Sequence, residues 1–314
     1  MSFNQLLIPI APEQQLDDSF HQAFKFANQI SAQVTLLTVI EDLAELKEIS
    51  RFSCTTLDLL DKSTKIYHGI LKEWVLSLKQ EYSNIKFKTK IRIGIPFIEI
   101  IKEANDSQVT MVILDTHRET KEKACQRGST TLHIMRKSEV PIWSISTAPR
   151  PVKNIVAALD ISNQDYRDFN EQIIALAVEF CSITGASLTV CHAWRLDSEG
   201  FLRKWSGYDD LDIALLSKKM RDERLGRLRS LLMPYENSPI HTSIKVLEGE
   251  TRQILPKYVN EEGTDLVILG SLSRTGIAGF LMGNTAESLL NEIGCSVITL
   301  KPDDFTSPVL EESE

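Results

Sequence analysis

The sequence predicts an α/β protein made of two tandem domains, each a five-stranded parallel sheet wrapped by helices. Three observations predict it: an internal repeat, an alternation of short β-rich runs with longer amphipathic stretches, and near-continuous apolar character in most of the β-rich runs. The repeat holds an offset of 155 residues across the second part of each copy, pairing Gly94 with Gly249, Asp115 with Gly270 and Gly128 with Gly283. Met111-Val112-Ile113-Leu114 aligns with Leu266-Val267-Ile268-Leu269 in the same register, and Gly128-Ser129-Thr130 with Gly283-Asn284-Thr285. Repeats of this length mark duplicated structural units, so each copy can be used to interpret the other.

In the first copy the strands fall at Leu6 to Ile10, Val34 to Val39, Phe87 to Ile91, Val112 to Leu114 and Ile142 to Ile145. The second copy repeats the order with Ile155 to Leu159, Leu188 to Cys191, Ile244 to Leu247, Leu266 to Leu269 and Val297 to Leu300. Unbroken apolar runs suit strands covered on both faces. Between them, Gln172 to Ile183 places Ile173, Ile174, Leu176, Ala177 and Phe180 at helical spacing, and Asp212 to Leu232 repeats that pattern with charges on its other side. Strands alternating with helices require right-handed crossovers, which gives each copy a Rossmann-like layer. The domains are expected at 1–148 and 152–302, joined by the stiff connector Pro149-Arg150-Pro151. The remaining 303–314 ends on Glu311-Glu312-Ser313-Glu314 and is expected to be a solvated acidic tail.

Composition excludes several classes. A net charge of −8 opposes general affinity for nucleic acid, which depends on clustered Lys and Arg. No run of about 18 apolar residues is present, and the start carries no basic stretch followed by an apolar segment, so neither a membrane span nor a signal peptide is expected. The expected compartment is the cytoplasm. Cys54, Cys125, Cys181, Cys191 and Cys295 are odd in number and lack C-x-x-C spacing, as individually packed thiols would be.

Ligands of open parallel sheets sit beyond the carboxyl ends of the strands. At these ends the second copy carries Asp160, after the first strand, and Gly270-Ser271-Leu272-Ser273-Arg274-Thr275-Gly276, after the fourth. With Gly279-Phe280-Leu281-Met282-Gly283-Asn284-Thr285-Ala286-Glu287, that loop resembles the universal stress protein signature, whose nucleotide-binding branch carries G-x-x-G-x9-G-[S/T]. The resemblance covers essentially the whole chain and implies a tandem member. It further implies an adenine nucleotide alpha-hydrolase-like fold and an intramolecular pseudo-dimer formed through the fifth strands, monomeric in solution.

What the resemblance implies for the site is an adenine nucleotide such as ATP, with magnesium, in the second copy only. The contacts it implies are Asp160, Ala193, Leu269, Gly270, Ser273, Gly283, Asn284 and Thr285. Glycines let the backbone approach phosphate closely, and a helix N-terminus offers free N–H groups to anionic oxygens. Two positions depart from the signature: Ser273 stands where the second glycine belongs, and Asn284 replaces the hydroxyl residue. The first copy departs further. Ala11 takes the place of the nucleoside carboxylate, and Asp115-Thr116-His117-Arg118 replaces the glycine turn. Its expected role is packing or regulation, with an Asp115 to Arg118 contact in a solvated loop.

Other residues have structural readings. Asp160 is open to two assignments, a ligand contact or helix capping. His192 is expected to be a packed, hydrogen-bonded imidazole. His117, Cys125 and His133 do not have zinc-ligand spacing. The stretch from Trp194 to Tyr208, with Phe201, Leu202, Trp205 and Tyr208 beside Arg203 and Lys204, is expected to pack against the first half, the alternative being a cradle for an apolar, anionic ligand. No G-x-S-x-G, H-E-x-x-H or Walker A motif occurs, so a non-catalytic stress-response protein is the first expectation. A slow nucleotide hydrolase or phosphoryl carrier, and a carrier of a lipid-like ligand, remain alternatives.

Overall fold

The computed structural model describes residues 3–12, 14–41, 55–115, 127–146, 148–271 and 283–311. The chain divides into two compact units, one formed by Met1–Pro151, Ser271–Gly283 and Ser296–Glu314, the other by Val152–Gly270 and Asn284–Cys295. In the first unit the strands are β1 (Gln5–Pro9), β2 (Gln33–Glu41), β3 (Lys86–Gly94), β4 (Met111–Asp115), β5 (Ile142–Ile145) and β10 (Ser296–Leu300), and its helices are α1 (Asp18–Gln29), α2 (Thr55–Glu81), α3 (Pro96–Asp106), α4 (Ser129–Lys137) and α10 (Pro308–Glu311). In the second lie β6 (Asn154–Ala158), β7 (Ser187–Trp194), β8 (Thr242–Glu248) and β9 (Leu266–Gly270), with α5 (Arg167–Thr184), α6 (Glu199–Trp205), α7 (Asp210–Leu232), α8 (Thr251–Glu261) and α9 (Asn284–Glu292).

The order β3-β2-β1-β4-β5-β10 runs across the first unit, and β9-β6-β7-β8 across the second. All pairs are parallel except β5 with β10, which run antiparallel with Trp143 opposite Ile298. The fifth strands of the two copies therefore pair within one chain, as the family resemblance implied. Register repeats as well: Leu6 faces Met111 in one unit and Ile155 faces Leu266 in the other. Leu7, Ile8, Leu37, Met111 and Phe24 form the first core, and Ala157, Val190, Val267, Ile268, Ile174 and Phe180 the second, all fully buried.

Coverage on both faces holds for the central strands and fails at the outer ones. β3 alternates exposed Lys86, Lys88 and Lys90 with half-buried residues, a charged pattern that blunts a sheet edge. Gly94 and Gly249, repeat partners after β3 and β8, both have positive φ, +152° and +150°. An added Cβ at Gly94 would press on Glu99, so these anchors are kept by backbone geometry.

The expected solvated tail is corrected at Ser307, Pro308 and Val309, whereas Asp303, Asp304, Thr306 and Glu311 are exposed as expected. Ser307 is fully buried and its N–H donates to Glu139 at 2.8 Å, while Pro308 and Val309 are buried at the start of α10. Pro308 and Val309 supply apolar surface that the run of acidic residues beyond them obscured in the sequence. Lys301 is buried just ahead of them, donating from Nζ to the Ser271 carbonyl at 2.9 Å, and burial pushes its pKa down to about 8.

Candidate functional site

Strand register assembles the candidate site at one rim of the second unit. Ala158 lies opposite Cys191 on β7 and Leu269 on β9. Asp160, Ala193 and Gly270 each follow these positions by one or two residues, so they share the carboxyl ends of three adjacent strands. Leu269 is buried beneath the rim, and Ala193 is half-buried on the opposite face of β7 from His192 and Trp194. α9 begins at Asn284, immediately after Gly283, and the N-terminus of a helix is chemistry that suits phosphate. Ser273 lies outside the described residues.

Asp160 sits on a segment fixed from three elements. Asn170 of α5, itself buried, donates from Nδ2 to the Asp160 carbonyl at 2.7 Å and accepts from the Asp160 N–H at 3.3 Å. His192 of β7 bonds the preceding carbonyl, Leu159 O, through Nδ1 at 3.0 Å. Arg227 of α7 donates from Nη1 to the following carbonyl, Ile161 O, at 3.0 Å. The carboxylate accepts from the Ser162 N–H at 3.0 Å, an Asx-type turn two residues on. Of the two assignments left open for Asp160, the capping one is thus a loop turn; the helical turn that follows is capped by Asn163.

Gly270 has a packing reason that the sequence did not reveal. A Cβ there would overlap the ring of Phe169. The glycine therefore lets α5 approach the end of β9.

The first copy closes the equivalent rim with a side chain. Gln14 accepts from the Ala11 N–H at 3.1 Å and donates to Asp115 Oδ2 at 2.8 Å, spanning the two positions that match Asp160 and Gly270. Arg118 and His117, invoked for Asp115, lie outside the described residues.

The aromatic stretch departs from its expected packing. Phe201 and Trp205 are 62% and 70% exposed, and α6 buries no residue. Leu211 and Leu215 on α7 are exposed with them. Arg203 is held by Glu199 and by Asp210 at 2.6 Å, so its charge is already matched. α6 is short, and its own ion pairs replace tertiary packing.

His192 is packed as expected, and burial beside Arg224 and Arg227 lowers its pKa to about 4. Cys181 and Cys191 are buried thiols pushed up to about 12 by desolvation, and Cys295 is half-buried. His133 stacks on Phe97. Cys54 and Cys125 lie outside the described residues. Among the described residues no cluster suits a metal ion, and no helix is long and apolar enough to cross a membrane.

Sequence reasoning missed Asn170, Arg227, Phe169 and Gln14. Asn170 and Phe169 occupy the first turn of α5, where an amide and an aromatic ring next to a strand-end carboxylate were the available signal. Arg227 lies 67 residues from Asp160, and only tertiary structure brings it there.

Two matches to the model of the universal stress protein family, over residues 2–145 and 151–301, span almost the whole sequence. The chain belongs to the universal stress protein family. Universal stress protein E of Escherichia coli K12 is 21% identical over 322 residues, covering 99% of this chain and 98% of that one. Universal stress protein E of Photorhabdus laumondii is also 21% identical, over 324 residues, with 100% and 99% covered. Among solved structures, a putative universal stress protein from Pseudomonas aeruginosa superposes with TM-score 0.71 at 20% identity, covering 99% of this chain and 96% of that one. One from Archaeoglobus fulgidus gives 0.63 at 16% identity, with 96% and 99% covered. These superpositions establish the tandem α/β fold.

Proposed function

We propose that this chain is a non-catalytic, cytoplasmic stress-response protein whose second domain, 152–302, binds an adenine nucleotide with magnesium, while its first domain, 1–148, has lost that capacity. The observation that carries the reading is the contrast between the two rims. In the second copy Asp160, Ala193 and Gly270 share one rim, followed in sequence by Gly283 and the start of α9; in the first, Gln14 bridges Ala11 and Asp115. A carboxylate at Asp160 suits a ribose hydroxyl or an adenine amine. The helix N-terminus after Gly283 suits phosphate oxygens.

Magnesium would arrive with the nucleotide and offset part of the phosphate charge, which asks for no protein metal cage, and none occurs among the described residues. The chain is expected to be monomeric, since β5 and β10 already pair internally. Heat release of bound nucleotide from freshly purified protein, followed by chromatography, tests the reading: adenine nucleotide in the wild type and its loss in Asp160→Ala support it. Absence of nucleotide in the wild type, with no uptake of added ATP, contradicts it. ATP turnover that disappears in Asp160→Ala would replace the non-catalytic reading with a slow hydrolase.

A further inference from the structure

Three polar atoms of the second unit are buried at the junction of β7 and α7 without a hydrogen-bond partner: His192 Nε2, Trp194 Nε1 and Arg224 Nε. Their side chains are neighbours, Arg224 acting on both rings. His192 and Trp194 are two residues apart on one face of β7 and are each 4% exposed, and the Arg224 guanidinium lies 4.2 Å from the centre of the Trp194 ring. Buried polar groups are almost always partnered, and each that is not costs about 1–3 kcal/mol, so three together call for an explanation.

Their polarity is specific. His192 Nδ1 faces the Leu159 carbonyl, which only accepts, so Nδ1 carries the proton and Nε2 presents a lone pair. Trp194 Nε1 and Arg224 Nε are donors. The set thus asks for a group that accepts twice and donates once. Charge narrows the choice. Arg227 is paired with Glu223 at 2.6 Å, whereas Arg224 donates only to the Met220 carbonyl and makes no ion pair with a described residue. One positive charge is left in a half-buried setting, and a buried charge calls for a counter-charge.

We propose that the junction of β7 and α7 is a second binding site, separate from the Asp160 rim, for an oxyanion that also carries a hydroxyl, of which hydrogen phosphate is the simplest. Its oxygens accept from Trp194 Nε1 and Arg224 Nε, and its hydroxyl donates to His192 Nε2. Sulfate, fully deprotonated at neutral pH, would set a lone pair against Nε2 and is rejected. The site is particular to the second copy, because strand register puts Thr38 and Ile40 of β2 where His192 and Trp194 stand. It does not depend on the nucleotide reading.

The test is calorimetric titration of the full chain with inorganic phosphate, with sulfate as comparator, in wild type, Trp194→Phe, Arg224→Met and Gly283→Val. Trp194→Phe keeps an aromatic ring under Arg224 and removes the N–H together with part of the indole's bulk, so its effect is read beside that of Arg224→Met. The expected result is one phosphate site that excludes sulfate, is weakened about tenfold or more in Trp194→Phe, given about 1.4 kcal/mol per tenfold for a charged-ligand hydrogen bond, and is unchanged in Gly283→Val. No saturable phosphate binding overturns it, as does equal binding of sulfate. Binding that Gly283→Val abolishes and Trp194→Phe leaves intact also overturns it, and would instead put phosphate at the α9 loop.

Discussion

At the residue scale, three successive carbonyls, of Leu159, Asp160 and Ile161, are held by His192, Asn170 and Arg227 respectively. Asp160 is thereby presented at the rim by groups from three elements, of which Asn170 and His192 are buried. His192 is also an acid-sensitive part of the fold, since its pKa is lowered to about 4 by burial and by Arg224 and Arg227. Unfolded histidine binds its proton near pH 6.5 and the folded form does not, so this contribution is complete above 6.5 and is lost as pH falls toward 4. Between those limits it amounts to roughly 3 kcal/mol. In denaturant titrations, the fall in wild-type stability from pH 6.5 to 4 should be that much steeper than the fall in His192→Phe; parallel curves would refute it. Gly270→Ala should destabilise by about 1–3 kcal/mol through the Phe169 ring, with less loss in a Phe169→Leu background. Thermal melts of the four proteins check this, and additive losses would rule out the clash. Asp160 and Gly270 were legible as motif positions, whereas the partners that fix them were not, because their contacts cross from one element to another.

At the element scale, most strands were legible, because central parallel strands leave unbroken apolar runs. β3 and β8 are the exceptions that follow the physics: lying at the outer ends of the strand order, β3 alternates charged with apolar residues and β8 breaks its apolar run with exposed Lys245. α6 carried aromatic residues that resemble a packing surface in sequence, yet it lies exposed with its Arg203 satisfied locally. β10 has a role beyond its own copy. It covers the edge of β5, and all four residues of β5 are buried. Removing residues 296–314 should uncover β5 and its backbone donors, and an apolar strand edge of that kind pairs with another copy. Sedimentation should find dimers or larger species of the shortened chain beside a monomeric full-length protein. A shortened chain that stays monomeric would show that β10 is dispensable for closing that edge.

Across the whole molecule, duplication supplied two equivalent rims and divergence separated them. The first is bridged by Gln14, and in the second Asp160 and Gly270 follow the ends of neighbouring strands with no such bridge between them among the described residues. The sequence disclosed that asymmetry through Ala11 and Asp115 but gave no sign of the bridge. Calorimetric titration of the nucleotide-stripped full chain with ATP and magnesium, beside Asp160→Ala and Gly283→Val, is the most direct test of the central claim. It should give one site per chain, lost in both variants, and a melting temperature that rises with ATP in the wild type alone. No heat and no shift in melting temperature would contradict it and mark Ser273 and Asn284 as the signs of a retired nucleotide site.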